Sequence, residues 1–196
     1  MIHSNIILIG PMMAGKSTIA PILAERLGVE RIEMDGVRWD YYKEIGYDEA
    51  EVSRISNSEE GVFGRLRYWK PFEAHAVERV VADHSNCVID FGAGHSVYED
   101  ETLFARVQQA LAPYPNVILL LPSPDLDESV KTVNARFERI LQEEGIELNP
   151  DLLALNEHFV RHPSNQRLAK IVVYTEGKAA EETCEEIVGM LKEAGK

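Results

Sequence analysis

The chain has 196 residues, 45% hydrophobic and 27% charged, which bounds it to one compact domain with a real core and excludes disordered and collagen-like classes. Its 33 acidic against 20 basic residues give a formal charge of −13, which repels phosphate backbones and anionic lipid, so neither nucleic acid nor membrane is expected as a partner. Cys87 and Cys184 form no CxxC pair and the start has no basic n-region, so a reducing, cytoplasmic setting is expected.

In chain order, Ile6–Ile9 is an apolar run of strand length, followed by helical periodicity over Lys16–Leu27 and a weaker strand over Arg31–Met34. Pro21 falls inside the first helix, where it removes a backbone donor. The segment Val37–Phe72 then holds eight of the 15 aromatic residues, which makes it either a helical flap packing its own rings or a pocket wall. Beyond it come a helix near Pro71–Asp83, a strand at Cys87–Asp90, a helix at Glu101–Leu111 and a strand at Val117–Leu121. Helices at Leu126–Glu144 and Pro150–Arg161, a strand at Ile171–Tyr174 and a helix at Ala179–Lys192 complete the chain. Strands that are apolar throughout are covered on both faces, and their alternation with helices implies parallel pairing in a three-layer α/β sandwich.

The sharpest motif is Gly10-Pro11-Met12-Met13-Ala14-Gly15-Lys16-Ser17, which fits GxxxxGK[ST] directly after a strand and before a helix. Such a loop turns successive N–H groups inward, adds the partial positive charge of a helix N-terminus, and lets Lys16 reach β- and γ-phosphates while the Ser17 hydroxyl ligates Mg²⁺. ATP with Mg²⁺ is therefore expected, bound by residues 10–17 together with Thr18. No Asn/Thr-Lys-x-Asp motif for guanine is present, and Asp90-Phe91-Gly92 copies a protein-kinase triplet without its companion motifs. His158 and His162 with Glu157 have metal-like spacing but no evident third ligand, so a solvated helix face is favoured.

From this loop onward, the sequence resembles the shikimate-kinase branch of the small P-loop kinases. The resemblance runs from Asn5–Ala20 through Leu23–Gly28 and Ile32-Glu33-Met34-Asp35 to Val88–Gly94, Leu168–Lys178 and Glu181–Leu191. It implies a P-loop fold with a five-stranded parallel sheet in the order 2-3-1-4-5, a single domain over 1–196, an acceptor segment near 36–72 and a mobile helical lid near 131–165. It also implies that Asp35 meets the acceptor hydroxyl, that Gly92, Ala93 and Gly94 form the turn against the acceptor, and that Arg136 is the lid arginine. Arg161 would bind an acceptor carboxylate, Lys178 would lie beside adenine, and Asp90 would hold a Mg²⁺-bound water. The departures are Glu33 for the first Asp of Asp-x-Asp, Ala93 for the central Gly, Asn165 for a Tyr, and Lys70 with nearby Arg67 where the family has Phe-Arg-x-x-Glu. Lysine lacks the planar fork of arginine, so shikimate itself is not the assured acceptor.

The expected activity is transfer of the γ-phosphate of ATP to a hydroxyl of a small polar or anionic acceptor, with Lys16, Asp35 and Arg136 catalytic. Arg67, Lys70, the Gly92–Gly94 turn and Arg161 would converge on Asp35, walled by aromatics from Trp39 to Phe72. N-capping by Asp35 is the competing explanation of that residue. A nucleoside or nucleotide kinase stacking a base on the aromatic segment and a non-catalytic ATP-binding protein are the alternative functions. A monomer or weak dimer is expected.

Overall fold

The computed structural model describes residues 4–194. Five strands, β1 (Ile6–Ile9), β2 (Glu30–Glu33), β3 (Cys87–Asp90), β4 (Asn116–Leu121) and β5 (Ile171–Tyr174), form one parallel sheet in the order β2-β3-β1-β4-β5. The central strands are buried along their whole length, whereas Glu30, Glu33, Val172 and Tyr174 on the edge strands reach solvent.

Alternation along β1 divides the core in two. Ile7 and Ile9 point with Ile89, Leu119 and Leu121 toward α2 (Met34–Glu44), α4 (Gly61–Asp83) and α5 (Glu101–Leu111). Ile6 and Leu8 point with Val88, Ile118 and Leu120 toward α1 (Lys16–Leu27) and α9 (Ala180–Ala194). Both faces are thereby covered, as a parallel sheet requires.

Two stretches differ from the periodicity reading. Asp35 and Gly36 continue into a regular helix α2, and a further helix α3 (Glu49–Ser56) fills the aromatic segment. The helix placed at Pro71 begins ten residues earlier at Gly61, with Pro71 inside it, because Val62, Leu66, Trp69 and Glu73 keep one helical face continuous across the proline. A hairpin of α6 (Leu126–Glu144) and α7 (Pro150–Arg161) follows β4, and α8 (Ser164–Leu168) leads into β5. Among the described residues, no helix is long and apolar enough to cross a membrane.

The carboxyl ends of β1 and β3 lie side by side, Leu8 in register with Asp90, which sets the loop after Ile9 beside the turn after Asp90. The loop leaves β1 at Gly10, whose φ of +138° is open to glycine and whose side a Cβ would drive into the Leu120 carbonyl of β4. Gly10→Ala should therefore lower stability by about 1–3 kcal/mol. Thermal melting should show a smaller loss for Gly61→Ala, where φ is also positive, +51°, but the surrounding space is open.

Candidate functional site

Helix α1 starts without a side-chain cap: Gly15 stands at its N-cap position, and no acidic residue occupies the first turn. By contrast α3, α5, α6 and α7 are capped by Asp48, Asp100, Asp125 and Asn149. The first N–H groups of α1 are thus left for an external acceptor, and the macrodipole makes an anion the favoured one. They open onto a cavity of about 480 Å³ lined by Met12, Met13, Gly15, Lys16, Ser17 and Thr18. Gly10, Pro11 and Ala14 lie buried beneath this surface.

Lys16 is 9% exposed, and its Nζ donates to the carbonyl oxygens of Gly10 and Pro11, both at 2.8 Å. Burial pulls its pKa down to about 8, against the opposing charges of Asp35 and Asp90. Arg136, on α6, donates to the Met13 carbonyl at 3.0 Å and lines the cavity with Arg139 one turn on. Lys178 also lines the cavity, its Nζ held by the Tyr174 carbonyl at 2.9 Å and by Glu186. Lys16, Arg136, Arg139 and Lys178 face Glu33, Asp35 and Asp90 here, so this cleft reverses the acid surplus of the whole chain.

Asp90 is 5% exposed, and Arg31 on β2 grips both its oxygens, Nε to Oδ1 at 3.1 Å and Nη2 to Oδ2 at 2.8 Å. Residue spacing gave no sign of that partner, because it comes from a neighbouring strand. Asp35 is no helix cap: Glu33 holds the N-cap position of α2 and Asp35 falls in the first turn, its Oδ1 2.8 Å from Arg38 Nη1. Ser17, Glu33, Asp35 and Asp90 supply oxygen donors on the wall of the larger cavity, the atom type that hard divalent cations take, with both Asp90 oxygens held by Arg31.

A second cavity, about 240 Å³, adjoins the first, and Met12, Asp35, Gly92 and Ala93 line both. Gly94, Arg38, Arg65, Trp69, Glu73 and the α7 residues Leu152, Leu155 and Phe159 are among the rest of its wall. A Cβ on Gly92 would stand 2.5 Å from Asp35 Oδ1 and 2.9 Å from His95 Nδ1, and one on Gly94 would overlap Glu73. The outer glycines of the turn are required by these approaches. Buried His95, its pKa driven down to about 3 by desolvation, stays neutral at physiological pH and lies 3.2 Å from the Tyr42 hydroxyl.

Three expected members do not line the smaller cavity. Lys70 is 5% exposed and spends its charge on Glu73 at 2.6 Å and the Gly94 carbonyl at 2.9 Å. Arg67 projects to the surface and pairs with Glu60 at 2.7 Å. Arg161 is likewise at the surface, clamped between Asp127 and Glu157, each at 2.7 Å. Helical phase explains both arginines: each lies two residues, about 200°, from a wall residue, Arg67 from Trp69 and Arg161 from Phe159. The expected aromatic wall is also corrected. Tyr42, Tyr47, Tyr68 and Phe72 pack on one another and on the core, leaving Trp69 as the one ring of that segment on the cavity. The histidine pair on α7 has Glu99 beside it, 2.7 Å from His158, and this contact holds the Glu99 carboxyl near pKa 2.

Arg38 and Arg65 escaped sequence reading. The signal for Arg65 was the i, i+3, i+4, i+7 spacing of Val62, Arg65, Leu66 and Trp69, hidden by starting that helix at Pro71, and the signal for Arg38 was its i, i+3 spacing from Asp35 on α2.

The shikimate kinase family model matches residues 12–192. The chain is 27% identical over 193 residues to a shikimate kinase of Streptomyces avermitilis, covering 96% of this chain and 95% of that one. Against a shikimate kinase of Persephonella marina identity is 26% over 189 residues, 96% of this chain and 99% of the other. Among solved structures, the shikimate kinase of Acinetobacter baumannii in complex with shikimate superposes with a TM-score of 0.62 at 22% identity, over 98% and 94% of the two chains. A gluconokinase of Sinorhizobium meliloti gives 0.60 at 14%, over the same shares. At these identities the superpositions show the fold.

The lowered pKa of Lys16 has a definite sign. Above about pH 8 the free side chain loses its proton and its attraction for phosphate, so ATP affinity should fall as pH rises through that value. Bound phosphate raises the pKa again, so calorimetry near pH 8 in buffers of different ionisation enthalpy should register proton uptake on ATP binding, and Lys16→Met should abolish it.

Proposed function

The chain belongs to the shikimate kinase family and is an ATP-dependent phosphotransferase acting on an alcohol, and from that premise we propose how its residues divide the work. The larger cavity takes ATP and the smaller takes the acceptor. Asp35 carries this reading, because it stands where the two cavities meet.

In the proposed step, Asp35 orients the acceptor hydroxyl and accepts its proton as the hydroxyl oxygen bonds to the γ-phosphorus. The bond from that phosphorus to the β–γ bridging oxygen breaks, and ADP leaves with the electron pair. Lys16 exchanges its two loop carbonyls for β- and γ-phosphate oxygens, while the N–H groups at the start of α1 fix the phosphates. Arg136, already against Met13, meets the charge of the transferring group, and Lys178 flanks the base. The donor set suits Mg²⁺, with Ser17 as its protein ligand and Asp90, steadied by Arg31, toward a bound water. When present with the nucleotide, the ion supplies further neutralisation of phosphate charge. Gly92, Ala93 and Gly94 give the acceptor a backbone floor. Within one domain, residues near 36–72 form the acceptor segment and those near 131–165 the lid.

At about 240 Å³ the acceptor cavity is smaller than the roughly 300–1,000 Å³ of drug-sized sites, which suits a single-ring or short-chain molecule better than a nucleotide.

An ADP-release assay over shikimate, other hydroxy acids, sugars and nucleosides identifies the acceptor. Asp35→Asn should nearly abolish acceptor-dependent turnover while leaving the ATP-induced rise in melting temperature, which reports a stabilisation of about 2.7 kcal/mol at a hundredfold excess over Kd. Arg136→Ala should cut kcat at least about tenfold, more than it weakens ATP binding. Full transfer by Asp35→Asn would overturn its assigned role.

A further inference from the structure

We propose that Arg38 and Arg65, gathered on the indole of Trp69, form the subsite that holds an oxyanion of the acceptor, a carboxylate or phosphate, in place of the lysine at position 70. This rests on the reading of the smaller cavity as the acceptor site. The Cζ atoms of Arg38 and Arg65 lie 5.4 and 5.2 Å from the centroid of the Trp69 ring, and all three residues line the cavity. Two like charges on one ring repel each other, so the arrangement calls for an anion between or beside them.

The local carboxylates do not meet that demand. Arg38 spends Nη1 on Asp35 at 2.8 Å, yet its Nε is buried without an acceptor, as is the Nε1 of Trp69. Among the described residues Arg65 makes no ion pair. Meanwhile the cations that spacing would have nominated are occupied, Lys70 by Glu73, Arg67 by Glu60 and Arg161 by Asp127 and Glu157. Paired guanidinium donors match the oxygens of a carboxylate or phosphate in a way that an ammonium cannot.

The position also fits the transfer step. Arg38 touches Asp35, so an anion on Arg38 Nε and Arg65 sits within one small molecule's reach of the hydroxyl that Asp35 orients. Leu66, Leu155 and Phe159, which pack in one cluster, give the same cavity an apolar surface. The acceptor class is thus a small hydroxylated acid with one polar, anionic edge and one apolar face.

The sequence has two tryptophans, and Arg38 lies against both, 4.5 Å from the Trp39 centroid, which provides a direct readout. With ADP and Mg²⁺ saturating the larger cavity, intrinsic fluorescence is followed during titration with shikimate, gluconate, glycerol 3-phosphate and inorganic phosphate. Methyl shikimate, glucitol and glycerol serve as neutral counterparts. At least one anion should give a saturable change that its neutral counterpart lacks, a carboxylate or a phosphate prevailing according to which oxyanion the subsite takes. R65Q should weaken that binding about tenfold or more, equivalent to about 1.4 kcal/mol. R65K should lose part of it, and carries the test should R65Q not fold. Equal binding of a neutral counterpart, unchanged affinity in the folded Arg65 variants, or no saturable response to any anion would overturn the subsite. Phosphorylation of a neutral polyol by wild type and not by K16M would then leave the kinase reading standing, whereas absence of any acceptor-dependent, Lys16-dependent turnover across the panel would remove that reading itself.

Discussion

Lys70 and Glu73 face each other across one turn of α4, both within a few per cent of full burial, and Lys70 also reaches the Gly94 carbonyl. Two opposite charges removed from water remain tolerable only as a pair, and losing one partner of such a pair costs about 3–5 kcal/mol. The contact therefore pins the middle of α4 to the turn that follows β3. Glu73 is pressed so close to Gly94 that no side chain fits there, and Gly92 is equally confined by Asp35 and His95. Ala93, between these two positions, is partly buried and lines both cavities. Floor, wall and carboxylate of the smaller cavity are set by one buried charge pair and two close backbone approaches.

The fold was legible because its signals are collective. Four strands announced themselves as apolar runs, the phosphate loop stood between a strand and a helix, and the expected order 2-3-1-4-5 is the order found. Of the candidate site, the loop at residues 10–18 was legible from its own pattern, while residues 92–94 and Asp35, which line the cavities, were nominated by the family resemblance. The site was not legible where helical phase decides. One residue of error in the assumed face of a helix turns a side chain by about 100°. Starting α4 at Pro71 hid the face carrying Arg65 and Trp69, and nominated Arg67, which points to solvent. Arg161 failed for the same geometric reason, while Lys70 was hidden by a partner, Glu73, that is visible in sequence as an i, i+3 pair but not as a buried one.

Charge distribution separates this surface from its interior chemistry. A chain with a formal charge of −13 repels anionic substrates at long range, yet at a Debye length of about 8 Å the far acidic surface is screened within the cleft. What remains are local cations whose partners are backbone carbonyls and aromatic faces: Lys16 on Gly10 and Pro11, Arg136 on Met13, Arg38 and Arg65 on Trp69. Such contacts hold a cation in place without neutralising it, except at Arg38, which also pairs with Asp35.

The α6–α7 hairpin reaches into both cavities. Arg136, Arg139 and Ile140 on α6 border the larger one, while Leu152, Leu155 and Phe159 on α7 close the smaller. The two arms pack on each other, so a displacement of one arm alters the wall of the neighbouring cavity. Any coupling that the hairpin carries is reciprocal: it changes the affinities of the two cavities by one and the same factor.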